Sequence, residues 1–252
     1  MVRSAVLAFL SFGTLLAALC ATTPVQAASP LTVGILSAPV MGYRDANHQV
    51  MGFEGELAQQ ICERIKRQCI FVLQPFSTNI SDIRQGRIDL AFSNILVTEA
   101  RSREFVFSER YMRSVSYYVG NPNTQPKYRS TRVAVIKGSV HAFYLQQNHS
   151  AAMEAVVYTD ISDIYAALKR GDVDLVLLST ILQLGFLYSD ESGLFDLIGN
   201  PIESSGLAGD IAVAINPAQK QLKPDIDQAL RSLLTDGSFN RLNNKYFPFN
   251  IY

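Results

Sequence analysis

The chain of 252 residues has no surplus of charge of either sign: 22 Lys and Arg stand against 22 Asp and Glu. That balance gives no basic field for nucleic acid or for an anionic membrane surface. Histidine is scarce. His48, His141 and His149 are scattered, so neither a metal-ligand spacing nor a histidine–nucleophile pairing is present. No glycine-rich phosphate loop occurs, and there is no short-period repeat or low-complexity tract. Beyond the N-terminus no apolar run approaches the roughly 20 residues that span a bilayer. The expectation is a protein with no cofactor, no metal site and no catalytic set.

What is present starts with an export signal. Arg3 is a positive n-region, residues 5–19 are apolar, and Val25-Gln26-Ala27 offers small residues at the cleavage positions. A membrane anchor is the alternative, but the run is short and Thr22, Pro24 and Gln26 follow at once. Cys20 would fit lipoprotein processing only with a small residue before it, and Leu19 stands there. Residues 1–27 are therefore expected to be a cleaved signal peptide and the mature chain to be periplasmic. About 225 residues remain, enough for one large domain or two lobes. Two cysteines remain as well, Cys62 and Cys69. An even count in an exported chain points to a bridge; two separately buried thiols are the alternative.

The pattern after the signal alternates strand and helix. Strands are expected at residues 31–36, 69–73, 88–92, 132–136, 155–158, 173–178 and 210–215. Helices are expected at 53–66, 80–85, 139–147, 160–169, 218–234 and 238–246, with Leu57, Ile61 and Ile65 on one face of the first. Pro224 lies inside the long C-terminal helix, so its regular part is expected to begin there. Alternation of this kind predicts parallel sheets with crossover helices. Linker-like composition at 120–130 and a second break at 199–209 divide the chain into lobe 1 (28–119 and 210–252) and lobe 2 (120–209). Two crossings between lobes make a hinge, with the ligand held between facing strand ends.

One stretch carries chemistry. Asn94-Ile95-Leu96-Val97-Thr98-Glu99-Ala100-Arg101 follows a strongly apolar strand and places a single arginine beside small polar residues. A guanidinium there offers a planar fork that matches a carboxylate. An ion pair with Glu99 or Glu104 is the alternative.

Gly52-Phe53-Glu54-Gly55-Glu56-Leu57, Gly86-Arg87-Ile88-Asp89-Leu90, Thr98 to Arg101 with Phe107-Ser108, Lys137-Gly138-Ser139, Gly171-Asp172-Val173-Asp174 and Lys245-Tyr246-Phe247 follow one another in order. Together they resemble the family 3 extracellular solute-binding proteins, the amino-acid-binding subunits of ABC importers. The branch that binds lysine, arginine, ornithine and histidine is the most similar, and it shares a cysteine pair seven apart. The resemblance implies an α/β, two-lobed periplasmic-binding-protein type II fold with a two-crossing hinge. It implies a monomer that hands a small carboxylate-bearing ligand to an ABC permease. Residue by residue it implies that Arg101 clamps the carboxylate, that Ser93 and Asn94 bond the ligand backbone, and that Phe76 covers its side chain. Ser139 would hold the carboxylate from the second lobe at a helix start; a plain N-cap is the alternative.

Departures from the family pattern matter equally. Ser179 stands where the family places the aspartate that binds the α-ammonium. Leu96, Val140 and Leu36 stand where polar or acidic residues are expected. All these changes run toward apolar or neutral, so the ligand is expected to carry a carboxylate without a standard α-ammonium or a cationic side chain, unless Asp160, Asp163 or Glu203 supplies an acid. An amino acid or derivative is the expected class. Two other functions compete. A cyclohexadienyl-dehydratase-like enzyme would need a general acid, and Ser179-Thr180-Ile181-Leu182 has none. A sensory role would deliver the ligand to a receptor instead of a permease.

Overall fold

A computed structural model describes residues 29–123, 130–148, 152–189, 193–203 and 206–252. The signal segment 1–27, Cys20, His149 and the middle of the 120–130 linker lie outside the described residues.

The chain opens with β1 (Leu31–Leu36), the short pair β2 (Tyr43–Arg44) and β3 (Val50–Met51), α1 (Phe53–Arg64), β4 (Cys69–Gln74), α2 (Phe76–Arg84), β5 (Leu90–Phe92), the single turn α3 (Glu99–Ser102) and β6 (Val106–Ser114). It continues with β7 (Ser116–Gly120), β8 (Thr131–Ile136), α4 (Val140–Gln147), β9 (Met153–Tyr158), α5 (Ile161–Arg170), β10 (Leu175–Ser179), α6 (Thr180–Leu187) and β11 (Asp196–Ile202). β12 (Gly209–Ile215), α7 (Lys223–Thr235) and α8 (Ser238–Tyr246) complete it. Two five-stranded sheets result, ordered β4-β1-β5-β12-β6 and β11-β7-β10-β8-β9.

The inner strands pair in parallel, β1 with β4 and β5, and β8 with β9 and β10. The expected parallel pairing holds for these inner strands, and the sheets are mixed because β6, β7, β11 and β12 pair antiparallel. Those four strands are the crossings. Only Val115 separates β6 in the first sheet from β7 in the second. The chain therefore changes sheet at Val115, ahead of the 119/120 position that composition indicated. The second break also shifts: residues 199–202 belong to β11, where a register shift after Ile198 and an edge position accommodate Gly199 and Pro201. Ser116 Oγ donates to Leu207 O at 2.5 Å and so ties one crossing to the other.

The helices follow their apolar stripes. Leu57, Ala58, Ile61 and Cys62 bury one face of α1, and Ile226, Leu230 and Leu233 bury one face of α7. A 3₁₀ turn, Pro217–Leu222, precedes α7, and Pro224 falls in the first turn of the regular helix as its fixed φ favours. Two sequence motifs meet at the base of the first lobe. Tyr246 Oη accepts from Gly52 N at 3.0 Å, Lys245 pairs with Glu56 at 2.7 Å, and Phe53 meets Phe239 and Phe247 edge-on. Gly52 sits at φ 96°, and a Cβ there would lie 2.5 Å from Met41 O, so no other residue fits that corner.

Cys62, near the end of α1, is bridged to Cys69, the first residue of β4, with Cα atoms 6.3 Å apart. Loop closure over so short a span stabilises the fold by about 2–3 kcal/mol. Urea unfolding of the Cys62→Ala/Cys69→Ala protein is expected to show that loss with an unchanged native circular dichroism spectrum.

Candidate functional site

The sequence-predicted residues converge where the two sheets present their strand ends. Phe76, Asn94, Arg101 and Ser139 line one cavity of about 30 Å³. Apart from His141 its walls are otherwise apolar, with Leu36, Leu96, Val140, Leu178 and Leu182 among them. Arg101, Ser139 and Val140 also line an outer groove of about 510 Å³. Arg101 thus lines both the small cavity and the larger groove.

Each side chain is positioned by its element. Thr98 caps α3, accepting from Arg101 N at 3.3 Å, and this turn swings the guanidinium inward. Arg101 Nη1 donates to Leu96 O at 3.0 Å, and its guanidinium carbon lies 5.4 Å from the Phe76 ring centre. The acids weighed as its partners are occupied elsewhere, Glu99 by Arg103 and Glu104 by Arg84 at 2.6 Å. Burial lowers the Arg101 pKa to about 10, with Glu104 opposing and Arg84 reinforcing the shift. The group remains a cation at neutral pH. Ser139 accepts from Ala142 N at 3.1 Å as the N-cap of α4. Its backbone sits at the helix start, so capping and anion binding are compatible there.

Asn94 adopts φ 48°, a left-handed conformation that asparagine tolerates. Its Nδ2 donates to Ser179 Oγ at 2.8 Å, a direct hydrogen bond between lobes. Ser179 is buried and lies behind Asn94 instead of lining the cavity. Ser93 is also fully buried, and its Oγ accepts from Asn79 Nδ2 at 2.6 Å. Both serines therefore back the wall.

Two functional groups escaped the sequence reading. His141, on the first turn of α4, is buried and lines the cavity. Its Nε2 lies 2.8 Å from Ser116 Oγ, and its Nδ1 has no partner. Burial, then the nearby Arg101 charge, lower its pKa to about 3. Glu54 is fully buried behind Asn94. Its Oε1 accepts from Asn94 N at 2.6 Å and from the Tyr111 hydroxyl at 2.5 Å. Burial pushes its pKa up to about 7 against those two hydrogen bonds. Position in the Gly52–Leu57 motif was the available signal for Glu54, and nearness to the Gly138-Ser139 helix start for His141.

The family model of the bacterial extracellular solute-binding proteins, family 3, matches residues 31–249. The chain belongs to that family. Among its relatives, the lysine/arginine/ornithine-binding periplasmic protein of Escherichia coli is 27% identical over 217 residues, covering 83% of this chain and 84% of the relative. The L-arginine-binding protein of Pseudomonas aeruginosa is 25% identical over 232 residues, covering 88% and 90%. In fold, an ancestral arginine-binding protein bound to arginine matches with a TM-score of 0.77 at 22% identity, over 88% of this chain and 100% of that one. An arginine transport-system binding protein from Legionella pneumophila matches at 0.76 and 24%, over 87% and 100%. The architecture is the two-lobed type II fold of periplasmic binding proteins.

Of the positions expected to depart from the family pattern, Ser179 stays off the cavity wall and three others stand on it. Leu36, Leu96 and Val140 are all wall residues. Of the acids that could face a ligand ammonium, Asp163 and Glu203 are exposed and Asp160 is half-buried at the start of α5. None of them lines the cavity, where Arg101 is the single charged side chain among the described residues.

Proposed function

We propose that this solute-binding protein captures a small carboxylate-bearing ligand, with an amino acid or derivative as the expected class, and delivers it to an ABC permease of the inner membrane. Arg101 carries the reading. It is a cation lining both cavity and groove, held by a carbonyl and an aromatic ring, with both neighbouring acids paired to other arginines. A bound carboxylate supplies the missing anion. Phe76, Asn94 and Ser139 complete the contact surface, with Ser93 and Ser179 supporting it. The relatives named for lysine, arginine, ornithine or histidine binding support the transport role; the apolar wall at Leu36 and Leu96 argues against their cationic ligands. The binding proteins among the relatives also favour a non-enzymatic role.

In this reading the chain is exported by its 1–27 signal and acts as a monomer. One lobe takes residues 29–114 with 209–252 and the other the described residues between 116 and 202. Ligand pockets of about 300–1,000 Å³ are the norm, so a 30 Å³ cavity admits ligand only as the lobes part, with Val115 and residues 206–208 in the hinge. Isothermal titration of the mature protein is expected to give micromolar or tighter binding for neutral-side-chain carboxylates and at least tenfold weaker binding for lysine, arginine and histidine. Tight lysine or arginine binding that Ser179→Ala weakens would overturn the assignment of a non-cationic ligand.

A further inference from the structure

We infer that His141 is a ligand contact: its Nδ1 accepts a hydrogen bond from an uncharged donor, a hydroxyl or amide N–H, on the same molecule whose carboxylate meets Arg101. The inference rests on the carboxylate reading above and specifies the second polar group of that ligand.

The tautomer follows from the hydrogen bonds. Ser116 has one hydroxyl proton, and it goes to Leu207 O at 2.5 Å. Toward His141 Nε2, 2.8 Å away, the same oxygen acts as acceptor. Nε2 therefore carries the imidazole proton and Nδ1 holds a bare lone pair. Burial and Arg101 keep the ring neutral, lowering its pKa to about 3. Nδ1 is buried without a partner, and so is Asn94 Oδ1. These residues come from opposite lobes and line one cavity. Both atoms are buried acceptors on residues of the cavity wall, and a ligand donor would relieve the cost of leaving such an acceptor unpaired.

Charge selects the kind of donor. Arg101 is the single charged side chain on the cavity wall among the described residues, and one carboxylate neutralises it. An added ammonium would leave a net positive charge among Leu36, Leu96, Leu178 and Leu182, which is unfavourable. Glu54 does not line the cavity; its Oε1 is engaged with Asn94 N and Tyr111, while its Oε2 is buried without a partner behind the wall. A hydroxyl or amide donor leaves the complex neutral. The opposite end of the imidazole binds Ser116, next to Val115 in one crossing, and Ser116 binds Leu207 in the other. One ring therefore joins the ligand cavity to both crossings.

The test uses the mature protein and three probes that differ at one atom group: 2-hydroxy-4-methylpentanoate, 4-methylpentanoate and leucine, each with its three- to five-carbon homologues. Titration calorimetry is expected to rank the hydroxy acids at least tenfold tighter than both the unsubstituted acids and the amino acids. His141→Gln keeps an amide donor for Ser116 but has no acceptor at the Nδ1 position, and should erase the hydroxy acid's advantage. His141→Asn places an amide oxygen near that position and should retain it. If amino acids bind tightest, or if His141→Gln leaves the hydroxy-acid preference intact, the inference falls while the carboxylate reading stands. If no carboxylate in the panel binds, both fall.

Discussion

Arg101→Met lowers affinity for a carboxylate ligand by roughly 30-fold to several thousand-fold, the 2–5 kcal/mol typical of removing one partner from a desolvated charge pair. Methionine preserves an unbranched apolar stem against Phe76, so packing is largely kept, and the loss reports the guanidinium. Arg101→Lys separates charge from geometry. It keeps the cation but offers no planar fork, and should fall between the two. Leu96 O loses its donor in the methionine variant, a cost of about 1 kcal/mol to the ligand-free fold. Melting of the free proteins measures that cost independently of titration with ligand. The Glu99–Arg103 and Glu104–Arg84 pairs are what leave Arg101 available, and they remain in both variants. Affinity of Arg101→Met within threefold of the parent would show that the carboxylate is held elsewhere.

The sequence disclosed most where one element buries one kind of surface. Apolar runs placed β1, β4, β8 and β10, and 3.6-residue stripes placed α1 and α7. The crossing strands were harder. β6 interleaves Glu109, Arg110 and Arg113 with buried positions, and β11 carries Gly-Asn-Pro, so neither presents a clean strand signal. They form because their partners are distant in sequence: β6 lies against β12 and β7 against β10 and β11. The site divides the same way. Arg101, Asn94 and Ser139 stood out by residue type at a strand end or helix start, and Phe76 only through resemblance to the family; the fold brings all four to one cavity. That Ser93 and Ser179 sit one layer back depends on Asn79 and on a bond between lobes. His141 offered no spacing pattern, because its partner Ser116 lies 25 residues away and its significance comes from burial.

Glu54 and His141 together make a stability plateau that hides two opposed titrations. Glu54 rises from 4.5 to about 7 on folding, chiefly by desolvation. The folded state holds a proton that the unfolded chain releases above pH 4.5, so this group alone makes stability fall as pH rises from 4.5 to about 7. His141 drops from 6.5 to about 3, again chiefly by desolvation and then by Arg101. The unfolded chain takes up a proton below pH 6.5 that the folded state refuses, so this group alone makes stability fall as pH drops from 6.5 toward 3. Between pH 4.5 and 6.5 the proton differences cancel. Glu54→Gln removes one side of the balance: its unfolding free energy should decline relative to the parent by about 2–3 kcal/mol from pH 6.5 to 4.5. His141→Gln removes the other, and should decline relative to the parent by a similar amount, about 3 kcal/mol, from pH 4.5 to 7. Asp236 is shifted down to about 2, so its own dependence lies below this window. Urea unfolding at half-unit pH steps measures all three proteins. Parallel curves for parent and Glu54→Gln would mean that Glu54 is ionised throughout in the fold, and the buried negative charge behind Asn94 would then be available to offset a ligand ammonium.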